Sequence, residues 1–337
     1  MIKKFVGATV ALAALGAGAL AATAVALGNK RVDAWETLTL DDAGDGAFVT
    51  LSDGARMHYV SMGRSAAALP DASSAAGLPP ANDVILIHGL MDSAQSWSQN
   101  MDALAARHRV WAIDLIGFGY SSRVTAPTYS LKYYARAVRE FMDAQGIARA
   151  SIAGHSLGGA VTLELARAFP ERVSHLILIA PATYLANLVA PVKLAARVPY
   201  VPRALMGFAL TSERARLRAW RDALGDPRRM NAQEALRRVR PARVKGTADA
   251  LVAMMGSAWS NGLGEELSRI SAPTLILWGD RDRAVPLRHG DRHARALPNA
   301  EFVILEGAGH VPHIEYPDVV NRLMVEFLSR RMPLTIL

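Results

Sequence analysis

Ser156 stands among glycines in the run Gly154-His155-Ser156-Leu157-Gly158-Gly159, between an apolar stretch ending at Ala153 and a helix-like stretch that follows. A serine hydroxyl is a poor nucleophile until a neighbouring base takes its proton, and that base needs a carboxylate to orient it. A sharp strand-to-helix turn pushes such a hydroxyl outward, and the glycines remove side chains that would clash with adjacent backbone. The Leu157 amide then lies at a helix N-terminus, where unpaired N–H groups and the helix dipole favour an oxyanion. Three histidines compete as the base: His310 in Gly307-Ala308-Gly309-His310, His313 three residues on, and His88. Asp280 and Asp282, which follow the apolar run Thr274–Trp278, and Asp114 compete as the acid.

A second amide fits the same chemistry. Asn82-Asp83-Val84-Ile85-Leu86-Ile87-His88-Gly89-Leu90 runs from a strand into His-Gly, so the Leu90 amide can face the oxygen that the Leu157 amide faces. Removing one such donor costs about 10²–10³ in turnover in a well-studied protease, so two aligned amides form a major catalytic element. His88 is read as ordering this loop through hydrogen bonds rather than as the base.

The elements that must position these residues alternate. Phe48–Leu51 and Ala55–Ser61 read as a hairpin around Ser52-Asp53-Gly54. Short apolar runs follow at Val84–Ile87, Val110–Ile113, Ser151–Ala153, Leu176–Ile179, Thr274–Trp278 and Phe302–Leu305. Continuous runs of this kind suit parallel strands buried on both faces. Helical stretches at Ser93–Arg107, Ser130–Gln145, Leu157–Phe169 and Arg288–Leu297 separate most of them, which implies a doubly wound α/β sheet. Pro181 to about Ser271 lacks a strand pattern and reads as a helical insertion, a cap over the carboxyl edge of the sheet. The Ala-, Ser- and Pro-rich stretch from Gly63 to Asn82 reads as a flexible surface insertion.

The His-Gly after a strand, the Gly-His-Ser-Leu-Gly-Gly turn, Asp114-Leu115-Ile116-Gly117-Phe118-Gly119-Tyr120-Ser121, Trp278-Gly279-Asp280-Arg281-Asp282-Arg283-Ala284-Val285-Pro286 and Gly307-Ala308-Gly309-His310 occur together. In this order they resemble the α/β-hydrolase superfamily, over about Phe48 to Arg330. The resemblance implies an α/β-hydrolase fold: a mostly parallel doubly wound sheet with its core in residues 32–180 and 272–337 and a helical cap in 181–271. It implies Ser156 as nucleophile, His310 as base, and Asp282 as acid, since the family pattern places that aspartate four residues before a proline, here Pro286. Asp280 and Asp114 become loop-structuring residues, Leu90 and Leu157 supply the oxyanion hole, and no metal or cofactor is called for.

The expected activity is serine hydrolysis of a hydrophobic acyl ester through an acyl-enzyme, as in a carboxylesterase or a monoacylglycerol-lipase-like enzyme. Haloalkane dehalogenases and epoxide hydrolases of this fold carry an aspartate nucleophile, which the serine at position 156 excludes. C–C bond (meta-cleavage) hydrolases share the triad but typically carry a glycine-rich stretch after His-Gly and a tryptophan after the catalytic histidine. Here Leu90-Met91-Asp92-Ser93 and Val311 occupy those places. Cofactor-free haloperoxidase-like members share the triad and stay open, as does a non-enzymatic membrane-tethered scaffold that kept the fold. In the cap, Tyr184-Leu185-Ala186-Asn187-Leu188-Val189 and Ala204-Leu205-Met206-Gly207-Phe208-Ala209-Leu210 suit an apolar pocket, a bilayer, or simple helix packing.

Composition agrees with a folded chain: 51% of residues are hydrophobic and 20% charged, and cysteine is absent, which excludes a disulfide framework or a thiolate metal site. The formal charge of +8 reads as a solvated or membrane-facing surface. No motif supports a nucleic-acid partner. Residues 5–27 carry no charge and, at about 1.5 Å per residue, would reach roughly 34 Å as a helix. Lys3 and Lys4 precede this run, and Lys30 and Arg31 follow it. Three readings stand: an uncleaved membrane anchor with the hydrolase domain extracytoplasmic, a cleaved signal at Ala22-Thr23-Ala24 or Ala24-Val25-Ala26, or, as the remainder, a buried helix of a soluble protein.

Overall fold

The computed structural model describes residues 21–63, 83–124, 129–183, 200–256 and 266–330. Eight strands form one sheet: β1 (Ala47–Thr50), β2 (Arg56–Met62), β3 (Asp83–Ile87), β4 (Arg109–Ile113), β5 (Ala150–His155), β6 (Val173–Ile179), β7 (Thr274–Gly279) and β8 (Ala300–Leu305). Their order is β1-β2-β4-β3-β5-β6-β7-β8. The first two strands pair antiparallel, as does β2 with β4, and every later pairing is parallel. The chain has the α/β-hydrolase fold, a mostly parallel eight-stranded sheet flanked by helices.

The central strands bury both faces, which explains why they read as unbroken apolar runs. Ile85 and Ile87 of β3 point into one core cluster, together with Tyr134 and Phe141 of α3 (Leu131–Ala144) and Leu163 of α4 (Leu157–Ala168). Val84 and Leu86, the alternate residues, point into the other, with Leu104 of α2 (Ser98–Ala105) and Met324 of the C-terminal helix Pro317–Ser329. The expected helix at Ser93–Arg107 begins instead as a 3₁₀ turn, Ala94–Trp97, before α2. The buried Asp114 carboxylate accepts the Ala94 amide at 2.6 Å and holds that turn against the sheet.

Between β6 and β7 the described residues form helices and turns: α5 (Val201–Thr211), α6 (Glu213–Ala223), α7 (Ala232–Arg238) and α8 (Thr247–Gly256). The stretches Gly63–Asn82 and Tyr184–Val189, singled out above, fall almost wholly (from residue 64) or wholly outside the described residues.

The N-terminal expectation is corrected. Among the described residues no helix is long and apolar enough to cross a membrane, so the anchor at residues 5–27 and the localisation built on it do not stand. Residues 1–20 lie outside the described residues. Residues 21–35, α1, form a helix running through both candidate cleavage sites, and its later half packs on α5. Small residues permit the approach. A β-carbon at Gly28 would lie 2.6 Å from the Ala204 carbonyl oxygen, and one at Gly207 would lie 2.1 Å from that of Gly28.

Polar contacts complete the clasp. Arg203 pairs with Asp33 at 2.8 Å and with Asp249 at 3.0 Å. The buried Glu36 carboxylate accepts the Gly246 and Ala248 amides at 2.8 and 2.7 Å, capping α8. Thus the end of the apolar N-terminal run, with the charged residues after it, serves as a packing surface for the inserted helices.

Gly207→Val forces α1 away from α5 and is expected to lower stability by about 1–3 kcal/mol, the range for overpacking. Thermal unfolding reads this as a fall in Tm of several degrees. An unchanged Tm would mean that the two helices do not meet in this way.

Candidate active site

All the sequence-derived candidates sit at the carboxyl edge of the sheet. Strand β3 delivers His88, Gly89 and Leu90; β5 delivers Ser156; β7 delivers Asp282; and the loop after β8 delivers His310. Register sets their spacing: Ile87 of β3 lies opposite Gly154 of β5, so the His-Gly turn and the serine turn emerge side by side.

Ser156 adopts φ 51° and ψ −112°, a left-handed conformation costly for any residue with a side chain. The turn closes because its flanks are bare. A β-carbon at Gly154 would lie 2.3 Å from the Gly158 carbonyl oxygen, and one at Gly158 would lie 2.3 Å from the Ile87 carbonyl oxygen. The Ser156 amide donates to the Ile179 carbonyl at 2.9 Å, which ties the turn to β6.

The structure brings Ser156, His310 and Asp282 together. Ser156 Oγ lies 2.9 Å from His310 Nε2, and His310 Nδ1 lies 2.8 Å from Asp282 Oδ2. A carboxylate only accepts, so Nδ1 carries the proton and Nε2 presents a lone pair to the serine hydroxyl. The other Asp282 oxygen accepts the Ala284 and Val285 amides at 2.9 and 2.8 Å, which fixes the carboxylate plane. Its side chain is fully shielded from solvent.

Leu157 opens α4 directly after the serine, and Leu90 lines the same cavity as Ser156. Among the described residues neither amide takes part in a loop or turn backbone hydrogen bond.

The competing residues do other things. His88 Nε2 accepts the Leu115 amide at 3.0 Å, so Nδ1 is protonated and donates to the Gly89 carbonyl at 2.6 Å. Asp280 accepts the Gly307 amide at 2.7 Å. Asp114 pairs with His58 at 2.8 Å and accepts the Tyr120 amide at 2.7 Å. His313 is buried against the rings of Trp97 and His155, with centroids 4.6 and 4.7 Å away.

Sequence reasoning missed three participants in this neighbourhood. His155 lies beneath the triad, its Nε2 donating to the His310 carbonyl at 2.8 Å. Glu315 accepts the Gly309 amide at 2.7 Å, just before the imidazole. Trp220, on α6, walls the cavity above Ser156. The available signals were local: an imidazole next to the nucleophile, and a lone carboxylate in the otherwise apolar turn Pro312-His313-Ile314-Glu315.

Ser156 and His310 open into a cavity of about 360 Å³, walled mainly by Leu90, Met91, Leu210, Trp220, Val285 and Val311. Arg216 and Asp92 are its charged lining residues. The Arg216 guanidinium donates to the Leu210 carbonyl and lies over the Trp35 ring at 4.3 Å, while its Nε is buried without a hydrogen-bond partner among the described residues. Burial pushes the Asp92 carboxyl above the usual range, which disfavours a free negative charge there.

The profile of the α/β-hydrolase fold family matches residues 83–317, about seven-tenths of the chain. The chain belongs to this family, and it is a hydrolase. Its curated relatives include the dihydrolipoyllysine-residue acetyltransferase component of an acetoin cleaving system from Pseudomonas putida, 32% identical over 73% of this chain. The match spans only 63% of that longer protein. A 2-hydroxy-6-oxo-6-phenylhexa-2,4-dienoate hydrolase from Burkholderia cepacia is 30% identical over 73% of this chain and 87% of its own length. Among solved structures, a bacterial membrane phospholipase A is 25% identical with a TM-score of 0.67, covering 97% of this chain and 98% of that one.

Burial of imidazoles around this site makes stability depend on pH. Desolvation holds His155 and His313 well below the usual histidine value, helped by neighbouring imidazoles and, at His313, by Arg238. Desolvation lowers His293, under the Trp278 ring, to about 4. The unfolded chain binds protons at these groups below about pH 6.5, and the folded chain does not. Stability is therefore whole above pH 6.5 and is lost as pH falls, at up to about 1.4 kcal/mol per pH unit for each imidazole. A Tm series from pH 7.5 to 5 should fall, and His313→Phe should reduce the slope by one proton. An unaltered slope in that variant would show that His313 is not held neutral.

Proposed function

We propose that this protein is a serine hydrolase of hydrophobic acyl esters. In this reading His310 takes the Ser156 proton, the alkoxide attacks the ester carbonyl, and Asp282 steadies the imidazolium. The Leu90 and Leu157 amides hold the tetrahedral oxyanion, His310 returns its proton to the departing alcohol, and water then releases the acid from the acyl-enzyme. Helices α5 to α8 act as a cap whose inner face, at Leu210 and Trp220, receives the acyl chain.

One observation carries the reading: the hydroxyl–imidazole–carboxylate chain opens into a cavity that is almost wholly apolar. An ester needs no more than a base, two amides and a seat for hydrocarbon. The near end-to-end likeness to a membrane phospholipase A supports an acyl-ester substrate.

A second reading, hydrolysis of a C–C bond, is the one the curated relatives favour, since several of them are dienoate or dienedioate hydrolases. Its demands are greater. The leaving carbon must depart as a stabilised dienol, and the acidic substrate needs polar groups to seat it. The cavity offers Arg216, one of whose guanidinium nitrogens donates to the Leu210 carbonyl, and Asp92, whose carboxyl burial holds towards the neutral form. The ester reading asks less of the residues present.

Purified protein should hydrolyse p-nitrophenyl octanoate with kcat/KM about 10- to 100-fold above the acetate, since each buried methylene contributes at most about 0.8 kcal/mol. A preference for acetate, or faster turnover of 2-hydroxy-6-oxo-6-phenylhexa-2,4-dienoate than of any ester, would overturn this assignment. Ser156→Ala should abolish labelling by a fluorophosphonate. Asp282→Asn should keep the fold but lose about 10⁴ in kcat, because the amide favours the wrong tautomer of His310. A loss below tenfold would remove Asp282 from the reaction.

A further inference from the structure

Glu315 occupies an unusual place. Its side chain is buried, five residues after the base, in a short helix, Pro312–Glu315. Among the described residues the carboxylate makes no ion pair; backbone amides satisfy it instead. One oxygen accepts the Gly309 amide at 2.7 Å, on the loop that carries His310. The other accepts the Gly225 amide at 2.8 Å and the Asp226 amide at 3.3 Å, both just past the end of α6 in the inserted helices.

The two segments touch directly as well. The His310 amide donates to the Ala223 carbonyl at 2.7 Å, so the imidazole is pinned to the last residue of α6. A β-carbon at Gly309 would lie 2.3 Å from that same carbonyl oxygen, and one at Gly225 would lie 2.1 Å from the Gly307 carbonyl oxygen. Leu224, Val311 and Ile314 form a small apolar cluster with Trp220 beside this seam. Ala223 and Trp220 also wall the acyl cavity. Substrate seat and base loop therefore share one piece of backbone.

We propose that Glu315 is a positioning residue that ties the register of His310 to the docking of the cap, so that the imidazole meets Ser156 only when α6 is seated. The inference rests on the serine-hydrolase reading of the triad. A carboxylate suits the task because three N–H groups converge on it and it offers acceptors only. Glutamine has the same shape but turns a donor towards at least one amide. The tie makes hydrolysis conditional on a closed cap.

Glu315→Gln tests this directly. The expected result is a kcat lowered about 10- to 100-fold for p-nitrophenyl acetate and octanoate alike, with the KM for acetate within about threefold of wild type. Amide exchange at Gly225 and Gly309 should accelerate together. A brace that only supports the fold would lower Tm and leave kcat intact, and that outcome overturns the proposal, as does exchange that rises at one of the two amides alone.

Gly225→Ala breaks the same seam from the cap side and serves where Glu315→Gln fails to fold. It should reproduce the kcat loss, and the double variant should be little worse than the poorer single. Additive losses would show two independent sites. Wild-type protein that resists fluorophosphonate labelling would sink the hydrolase reading alone, because paired exchange at Gly225 and Gly309 reads the tie without turnover.

Discussion

The backbone of Ser156 is the constraint on which the rest of the site depends. Its left-handed conformation costs roughly 1–3 kcal/mol for a residue with a side chain, and the turn cannot relax without withdrawing the hydroxyl. Three features hold it: a hydrogen bond to β6, bare glycines where the helix passes under the strand, and parallel pairing of β5 between β3 and β6. The same geometry that strains the serine frees the Leu157 amide at the start of α4.

Around that turn the protein separates two kinds of histidine. His310 has a carboxylate behind it and a hydroxyl in front, so its ring can shuttle a proton. His155 and His313 lie next to it, buried with no carboxylate, and burial keeps them neutral. A charged neighbour would raise the cost of forming an imidazolium at His310; neutral rings pack closely without doing so. The packing is also specific: His155 spends its Nε2 proton on the His310 carbonyl, which supports the His310 loop from beneath.

How much of this was legible in the sequence follows from the range of each interaction. The central strands were readable because strands buried on both faces are continuous apolar runs, the first two because a turn-forming stretch joins them, and each expected run overlaps an observed strand. The glycine pattern around Ser156 encodes a local backbone demand, so the serine and its helix-terminal amide could be named from six residues. Asp282 and Asp280 could be separated only by motif phase. In space one accepts amides of its own loop and the imidazole, while the other accepts Gly307.

The N-terminal run misled because hydrophobic length states only that a helix is apolar, not what covers it. Gly28 and Gly207 are small for the sake of a partner far along the chain, and that pairing has no local signature. Glu315 was missed because its lone local carboxylate does not reveal that it joins the Gly309 amide, six residues back, to the Gly225 amide, 90 residues back.

These long-range contacts share a logic. The inserted helices carry much of the cavity wall but pair with the sheet through no full strand; the sole ladder contact in the described insertion is an isolated bridge from Leu38 to Val244. Their placement must come from side chains that reach backbone amides. Glu36 does this at α8 and Glu315 at the end of α6, both buried carboxylates that bridge segments far apart in sequence. Burial raises the pKa of each while the amides oppose the shift, so each stays a useful acceptor only while its donors are in place. A group that is costly to bury unpaired and well satisfied when paired favours an all-or-none seat. The sheet supplies rigid positions for the serine and aspartate, and on the proposed reading this pair of carboxylates supplies a discrete position for the inserted helices, from which the His310 loop takes its register.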